Sequence, residues 1–135
     1  MMANAKIIWQ PGGRTFIGID STNHSVVLST TDEGVGMKPS ELLLVAVGSC
    51  TAVDVVNTLE KKRFQLNSLE IQVRSEQDTN PPWTFRKIHI HYKLRGAELT
   101  DKAVEQAIQL SEEKYCSVSA TVRATAEIST SYELL

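Results

Sequence analysis

Pro39-Ser40-Glu41-Leu42-Leu43-Leu44-Val45-Ala46-Val47-Gly48-Ser49-Cys50-Thr51-Ala52-Val53-Asp54-Val55-Val56 is the stretch on which the fold turns. A proline costs nothing in a first helical turn, where its missing N–H has no partner to lose, and Ser40 can cap the free amides. Glu41 puts a negative charge at the positive end of the helix dipole, and Lys61-Lys62-Arg63 puts cations at the other end, where they read as a solvated C-terminus. The spacing predicts a helix from Pro39 to that basic cluster. Leu42 to Val47 surround the axis instead of forming one stripe, and a helix of that kind has to be covered on every side. A chain of 135 residues with one sheet covers one side. A second copy is the simplest cover for the other, so a homodimer is expected.

Before this helix, Ala5–Gln10, Thr15–Asp20 and Ser25–Ser29 are short β-branched and aromatic runs parted by Pro11-Gly12-Gly13 and Ser21-Thr22-Asn23, which predicts a meander of strands. Thr30 to Lys38 reads as a loop; Gly34-Val35-Gly36 lacks the lysine and hydroxyl of a phosphate-binding loop. After the helix, Leu69, Ile71 and Val73 alternate with Glu70, Gln72 and Arg74, and Ile88, Ile90, Tyr92 and Leu94 alternate with His89, His91, Lys93 and Arg95. Each alternation marks a strand with one buried face. Thr100 caps a second helix with the stripe Ala103, Val104, Ala107, Ile108 and Ser111, ending near Tyr115. A short segment from Cys116 to Val122 leads to a last strand in which Ala126, Ile128, Tyr132 and Leu134 share a face. The order βββ-α-ββ-α-β, with no βαβ rhythm, predicts an α+β fold of antiparallel sheets packed on two main helices. No repeat or linker interrupts it, so residues 1–135 are expected to form a single domain.

Charge and composition narrow the function. Fourteen Lys+Arg against sixteen Asp+Glu give a net charge of −2, which provides no basic field for phosphate backbones or anionic lipid. Neither nucleic acid nor a membrane is expected as a partner. The apolar run Leu42 to Val56, about 15 residues, falls short of the roughly 20 that a membrane span needs. The N-terminus from Met1 to Trp9 carries no signal-peptide core, which predicts a cytoplasmic protein.

Two cysteines are available for chemistry, Cys50 inside the apolar helix and Cys116 in Lys114-Tyr115-Cys116-Ser117-Val118. Neither belongs to a C-x-x-C pair, which argues against a zinc ribbon and a thioredoxin-type motif. No metal centre is expected. Asp54 places a carboxylate one turn beyond Cys50. Cys116 falls at a helix break, where the amides of a new helical turn would favour a thiolate. The residues by themselves leave two readings open, a pair of small buried hydrophobes or a reactive pair. His89 and His91 share the polar face of their strand with Lys93 and Arg95, and are expected to be solvated surface side chains.

Lys38-Pro39-Ser40-Glu41-Leu42-Leu43 followed by Val47-Gly48-Ser49-Cys50 resembles the segment that carries the first cysteine of OsmC/Ohr proteins. Lys114-Tyr115-Cys116-Ser117-Val118-Ser119 resembles the one that carries the second. The resemblance covers essentially the whole chain and is strongest to the YhfA-like branch. It implies an OsmC-like fold and an intertwined homodimer. It also implies a cysteine-based peroxidase of oxidative-stress defence that reduces organic hydroperoxides without metal, flavin or other cofactor, and that a dithiol reductant restores. Cys50 is then the attacking thiol and Cys116 the resolving one. The family also sets an arginine from the N-terminal strands near the thiolate, a part that Arg14 in Trp9-Gln10-Pro11-Gly12-Gly13-Arg14 would take. The glutamate that pairs with it stands ten residues before the first cysteine; here that position is Ser40, with Glu41 a quarter turn away. This departure predicts a less organised site. A function of another class is a non-catalytic dimer that binds apolar ligands or senses oxidants through its cysteine pair.

Overall fold

Turn residues break the β-branched runs where the sequence predicts, and in the computed structural model, which describes residues 1–135, the strands form two three-stranded sheets. The chain divides into two compact units, Met1–Leu43 and Leu44–Leu135.

In the first unit, β1 (Ala5–Gln10), β2 (Thr15–Asp20) and β3 (Ser25–Ser29) form an antiparallel sheet in that order. Gly12, at φ +106°, makes the β1–β2 turn in a conformation that side-chain-bearing residues avoid. The β2–β3 turn is closed by the Asp20 carboxylate, which accepts from the amides of Thr22 and His24 at 2.9 and 2.8 Å. Beyond β3, the Gly36 amide donates to the Oγ of buried Ser29 at 2.9 Å and so ties down the loop that leads into α1 (Pro39–Lys61).

The second unit takes the rest of α1, then β4 (Ser68–Gln77), β5 (Phe85–Arg95), α2 (Asp101–Leu110), a π-helical turn at Ser111–Tyr115, α3 (Ser117–Val122) and β6 (Glu127–Leu134). Its core joins Val47, Val55 and Leu59 of α1 to Ile88, Ile90, Tyr92 and Leu94 of β5 and to Ala103, Val104, Ala107 and Ile108 of α2. Each large apolar side chain buried there contributes roughly 1.5–3 kcal/mol. Gly48 faces the sheet at close range: a Cβ at that position would stand 3.0 Å from Val73 Cγ2. With its 23 residues α1 is long and apolar enough to cross a membrane by length and composition, beyond what its apolar run suggests, but Val47, Gly48, Thr51, Val55 and Leu59 are buried within the protein fold.

The α+β class is the observed one, with two corrections. The second sheet is mixed and not antiparallel, because β4 and β5 run antiparallel whereas β5 and β6 run parallel, from Lys87↔Glu127 to Leu94↔Leu134. The helices between residues 96 and 126 carry the chain back to the end of the sheet where β5 began, so that β6 leaves in the same direction as β5. The absence of a βαβ rhythm was therefore misread at this one place. The second correction is that the segment after Cys116 is a third helix, α3.

Candidate active site

Cys50 lies one helical turn before Asp54 on α1, and the i, i+4 spacing points both toward the same neighbour. That neighbour is Cys116. It ends the π-helical turn in an extended conformation and caps α3, its Sγ accepting from the Ser119 amide at 3.3 Å. The two sulfurs and an Asp54 carboxylate oxygen all lie within 4.8 Å of one another. Both cysteines are free thiols, Cys50 half-buried and Cys116 buried. Burial pushes the Cys116 thiol up and the neighbouring Cys50 adds to that, against the opposing pull of the Ser119 hydrogen bonds. The helix-start amides thus do not win at Cys116, because a side chain 3% exposed loses too much hydration on ionising.

A chain of polar groups runs from the core to this cluster. Tyr92 Oη is 2.7 Å from Thr51 Oγ1, which is 2.9 Å from Ser111 Oγ, which is 2.8 Å from Asp54 Oδ2. Each hydroxyl has one proton and the carboxylate only accepts, so a consistent set of donors runs Tyr92 to Thr51 to Ser111 to Asp54. Burial, followed by the charges of Glu112, Cys116 and Asp54, raises the Tyr92 phenol against only the Thr51 hydrogen bond, and the group stays protonated as donor. Beside it, burial raises the Glu112 carboxyl, which Arg123 opposes through a 2.8 Å ion pair. Ser119 Oγ and Glu112 Oε1 are buried without a protein partner.

The other predicted residues lie elsewhere on the chain. Arg14 is exposed after the β1–β2 turn; its Nη1 donates to the Gly13 carbonyl at 3.1 Å and its amide to Glu33 Oε1 at 3.0 Å. Glu41 is exposed in the first turn of α1 and Ser40 beside it is half-buried. Neither Arg14 nor Glu41 forms an ion pair. His89 and His91 are not free solvated rings. His89 bonds Ser129 and Ser131, and His91 bonds Ser131, each at 2.7 Å, while the second nitrogen of His91 meets Glu133 at 3.1 Å. All four ring nitrogens have partners on β6, which the parallel pairing brings into register.

Sequence reading missed Thr51, Tyr92, Glu112 and Arg123. Two signals were present: Ser111 continues the apolar stripe of α2, and a hydroxyl on a core-facing stripe needs a buried partner. Glu112 and Glu113 also place negative charge where a helix end favours cations.

With this geometry, the likenesses to other proteins become informative. A family model described as OsmC-like protein matches residues 30–131. Protein YhfA of Escherichia coli K12 is 34% identical over 131 residues, 97% of either chain. The crystal structure of a hypothetical protein from Aquifex aeolicus VF5 is 31% identical, with a TM-score of 0.84 over 100% of this chain and 98% of that one. The organic hydroperoxide resistance protein OhrB of Bacillus subtilis shares the fold, with a TM-score of 0.65 over 98% of each chain at 14% identity.

Proposed function

The chain belongs to the OsmC-like protein family, and from that premise we propose that it is a cysteine-based peroxidase that reduces organic hydroperoxides. Family and fold support a redox-related role. The observation that carries the finer reading is the approach of Cys50 and Cys116, sixty-six positions apart in sequence by their numbering, with sulfurs within 4.8 Å. In the proposed cycle the Cys50 thiolate attacks the terminal oxygen of the hydroperoxide, the O–O bond breaks, and the alkoxide leaves as an alcohol after taking a proton. Cys50 becomes a sulfenic acid. Cys116 then attacks the Cys50 sulfur; its proton and the displaced hydroxide leave as water, and a disulfide remains. A dithiol reductant, itself oxidised to a disulfide, restores both thiols by exchange.

The division of roles follows exposure. Cys50 is the more accessible sulfur, whereas burial holds Cys116 as a thiol, a poor first nucleophile but a ready trap for a sulfenic acid beside it. Closing the sulfurs to the bond length of about 2.05 Å requires a small local shift. The π-helical turn before Cys116 is a place where such a shift costs little regular hydrogen bonding. Arg14 enters the proposal from the sequence likeness, as the cation that favours the thiolate, with Glu41 as the carboxylate next in sequence to the Ser40 position. The proposal takes residues 1–135 as one domain acting as a cytoplasmic homodimer.

One equivalent of cumene hydroperoxide added to the reduced protein should lower the intact mass by two hydrogens and yield a peptide joining Cys50 to Cys116. With excess dithiol, hydroperoxide should be consumed over many turnovers. Sulfinic acid on Cys50 with Cys116 still reduced would refute the two-cysteine cycle. A disulfide formed without turnover would favour an oxidant sensor instead.

A further inference from the structure

We propose that the reduced protein binds one zinc ion through Cys50 Sγ, Asp54 carboxylate oxygen and Cys116 Sγ, the three side chains that converge where α1 meets the start of α3. The inference does not depend on turnover of hydroperoxide. Two thiolates and a carboxylate are a donor set suited to a borderline-soft dication, and three protein ligands with a fourth position left to water make an open tetrahedral site. With metal–ligand bonds of about 2.0–2.3 Å, the ligand atoms of such a site lie some 3.5–3.8 Å apart. The observed spacing, all three atoms within 4.8 Å, needs only a small contraction.

Two features beyond the cluster fit a metal site. Asp54 takes its hydrogen bond from the Ser111 hydroxyl at 2.8 Å, and Cys116 Sγ takes one from the Ser119 amide at 3.3 Å. Ligands of metal centres are commonly oriented by outer partners of this kind. Charge points the same way. Arg123 is committed to Glu112 at 2.8 Å, and Asp54 is held by a hydroxyl and not by a cation. If both thiols ionise, three negative charges meet in a partly buried place, and a dication would neutralise them. The histidines are poor competitors, since their ring nitrogens are engaged by Ser129, Ser131 and Glu133.

Binding converts two thiols and Zn2+ into two zinc thiolates and two protons. Oxidation by a hydroperoxide then consumes two protons, gives the disulfide, an alcohol and water, and releases Zn2+, because a disulfide no longer supplies anionic sulfur. The site is therefore occupied only in the reduced state.

Calorimetric titration of reduced, chelator-treated protein with zinc chloride should show one site per chain and an enthalpy that varies with the buffer's protonation enthalpy, as proton release requires. Zinc should also slow alkylation of Cys50 and Cys116 in the unmodified protein, a readout that needs no variant. Asp54→Asn should weaken binding at least tenfold, and Ser111→Ala, which frees the Asp54 carboxylate and leaves the Thr51 hydroxyl without its partner, about 10–100-fold. Cobalt substitution should give a thiolate charge-transfer band that Cys116→Ser diminishes. Zinc binding that survives replacement of both cysteines, alkylation unaffected by zinc, or Asp54→Asn binding as tightly as the parent would overturn the assignment. Hydroperoxide turnover, measured separately in excess chelator, reports on the peroxidase reading alone, so either proposal can fail without the other.

Discussion

Tyr92 carries its hydroxyl into an aliphatic core, and the run of donors through Thr51 and Ser111 to Asp54 is what makes that tolerable. Thr51→Val removes the middle hydroxyl at nearly constant volume and leaves Tyr92 Oη without its acceptor. It should cost about 1–3 kcal/mol in urea unfolding at fixed protein concentration, more than Tyr92→Phe, which takes the outermost donor away cleanly. Glu112 supplies a pH test. Burial raises its carboxyl in the folded state above the ordinary value of 4.5, Arg123 opposing and Asp54 reinforcing the shift. A raised folded value means that the fold favours the protonated form: Glu112's contribution is complete below the unfolded value and is lost as pH rises through the folded one. The stability of Glu112→Gln relative to the parent should thus improve from acid to neutral pH in metal-free buffer; an unchanged or falling difference would show that the Arg123 pair outweighs burial. Ser40 belongs to the same scale. Arg14 forms no ion pair, and a carboxylate is the usual means of fixing a guanidinium. Ser40→Glu should raise the rate of Cys50 oxidation by an organic hydroperoxide roughly 5- to 150-fold, corresponding to about 1–3 kcal/mol, and Arg14→Ala should abolish the gain in stopped-flow measurements.

At the scale of elements, the caps and the break between helices place the chemistry. Thr100 is extended and accepts from the Ala103 amide at 3.1 Å, starting α2 where the sequence predicts. Thr100→Ala should cost about 1 kcal/mol, read as a lower urea midpoint with an unchanged slope. Because the π-helical turn begins at Ser111, directly after α2, and Cys116 follows that turn, loss of the cap should also loosen the cysteine, seen as faster Cys116 alkylation. Gly48 lets α1 close on β4, so that the helix face bearing Thr51 reaches Tyr92 of β5.

For the whole molecule, large apolar side chains remain uncovered in a single chain: Ile7 is 62% exposed, Trp9 51% and Val53 59%. Each unit thus keeps apolar side chains uncovered, and a second copy is the cover that the all-round apolar run of α1 leads one to expect. The urea midpoint should rise with protein concentration, because dissociation and unfolding are then linked, and light scattering over a dilution series should show no stable folded monomer. A concentration-independent midpoint would contradict the dimer.

The strands and both main helices were legible from local patterns, because period-two alternation, a Pro-Ser start and a threonine cap act within a few residues of where they stand. The parallel entry of β6 was not, since strand direction depends on where a crossover delivers the chain and not on the residues of the strand. The candidate site divides in the same way. Cys50 and Cys116 stood out as residue types with a family likeness, and Asp54 as a neighbour one turn along. Their convergence, the burial that raises Cys116, and the Tyr92–Thr51–Ser111–Asp54 chain exist only because α1, β5, α2 and α3 pack together. Distances between side chains remote in sequence, and the dehydration that shifts a thiol, are properties of the packed chain.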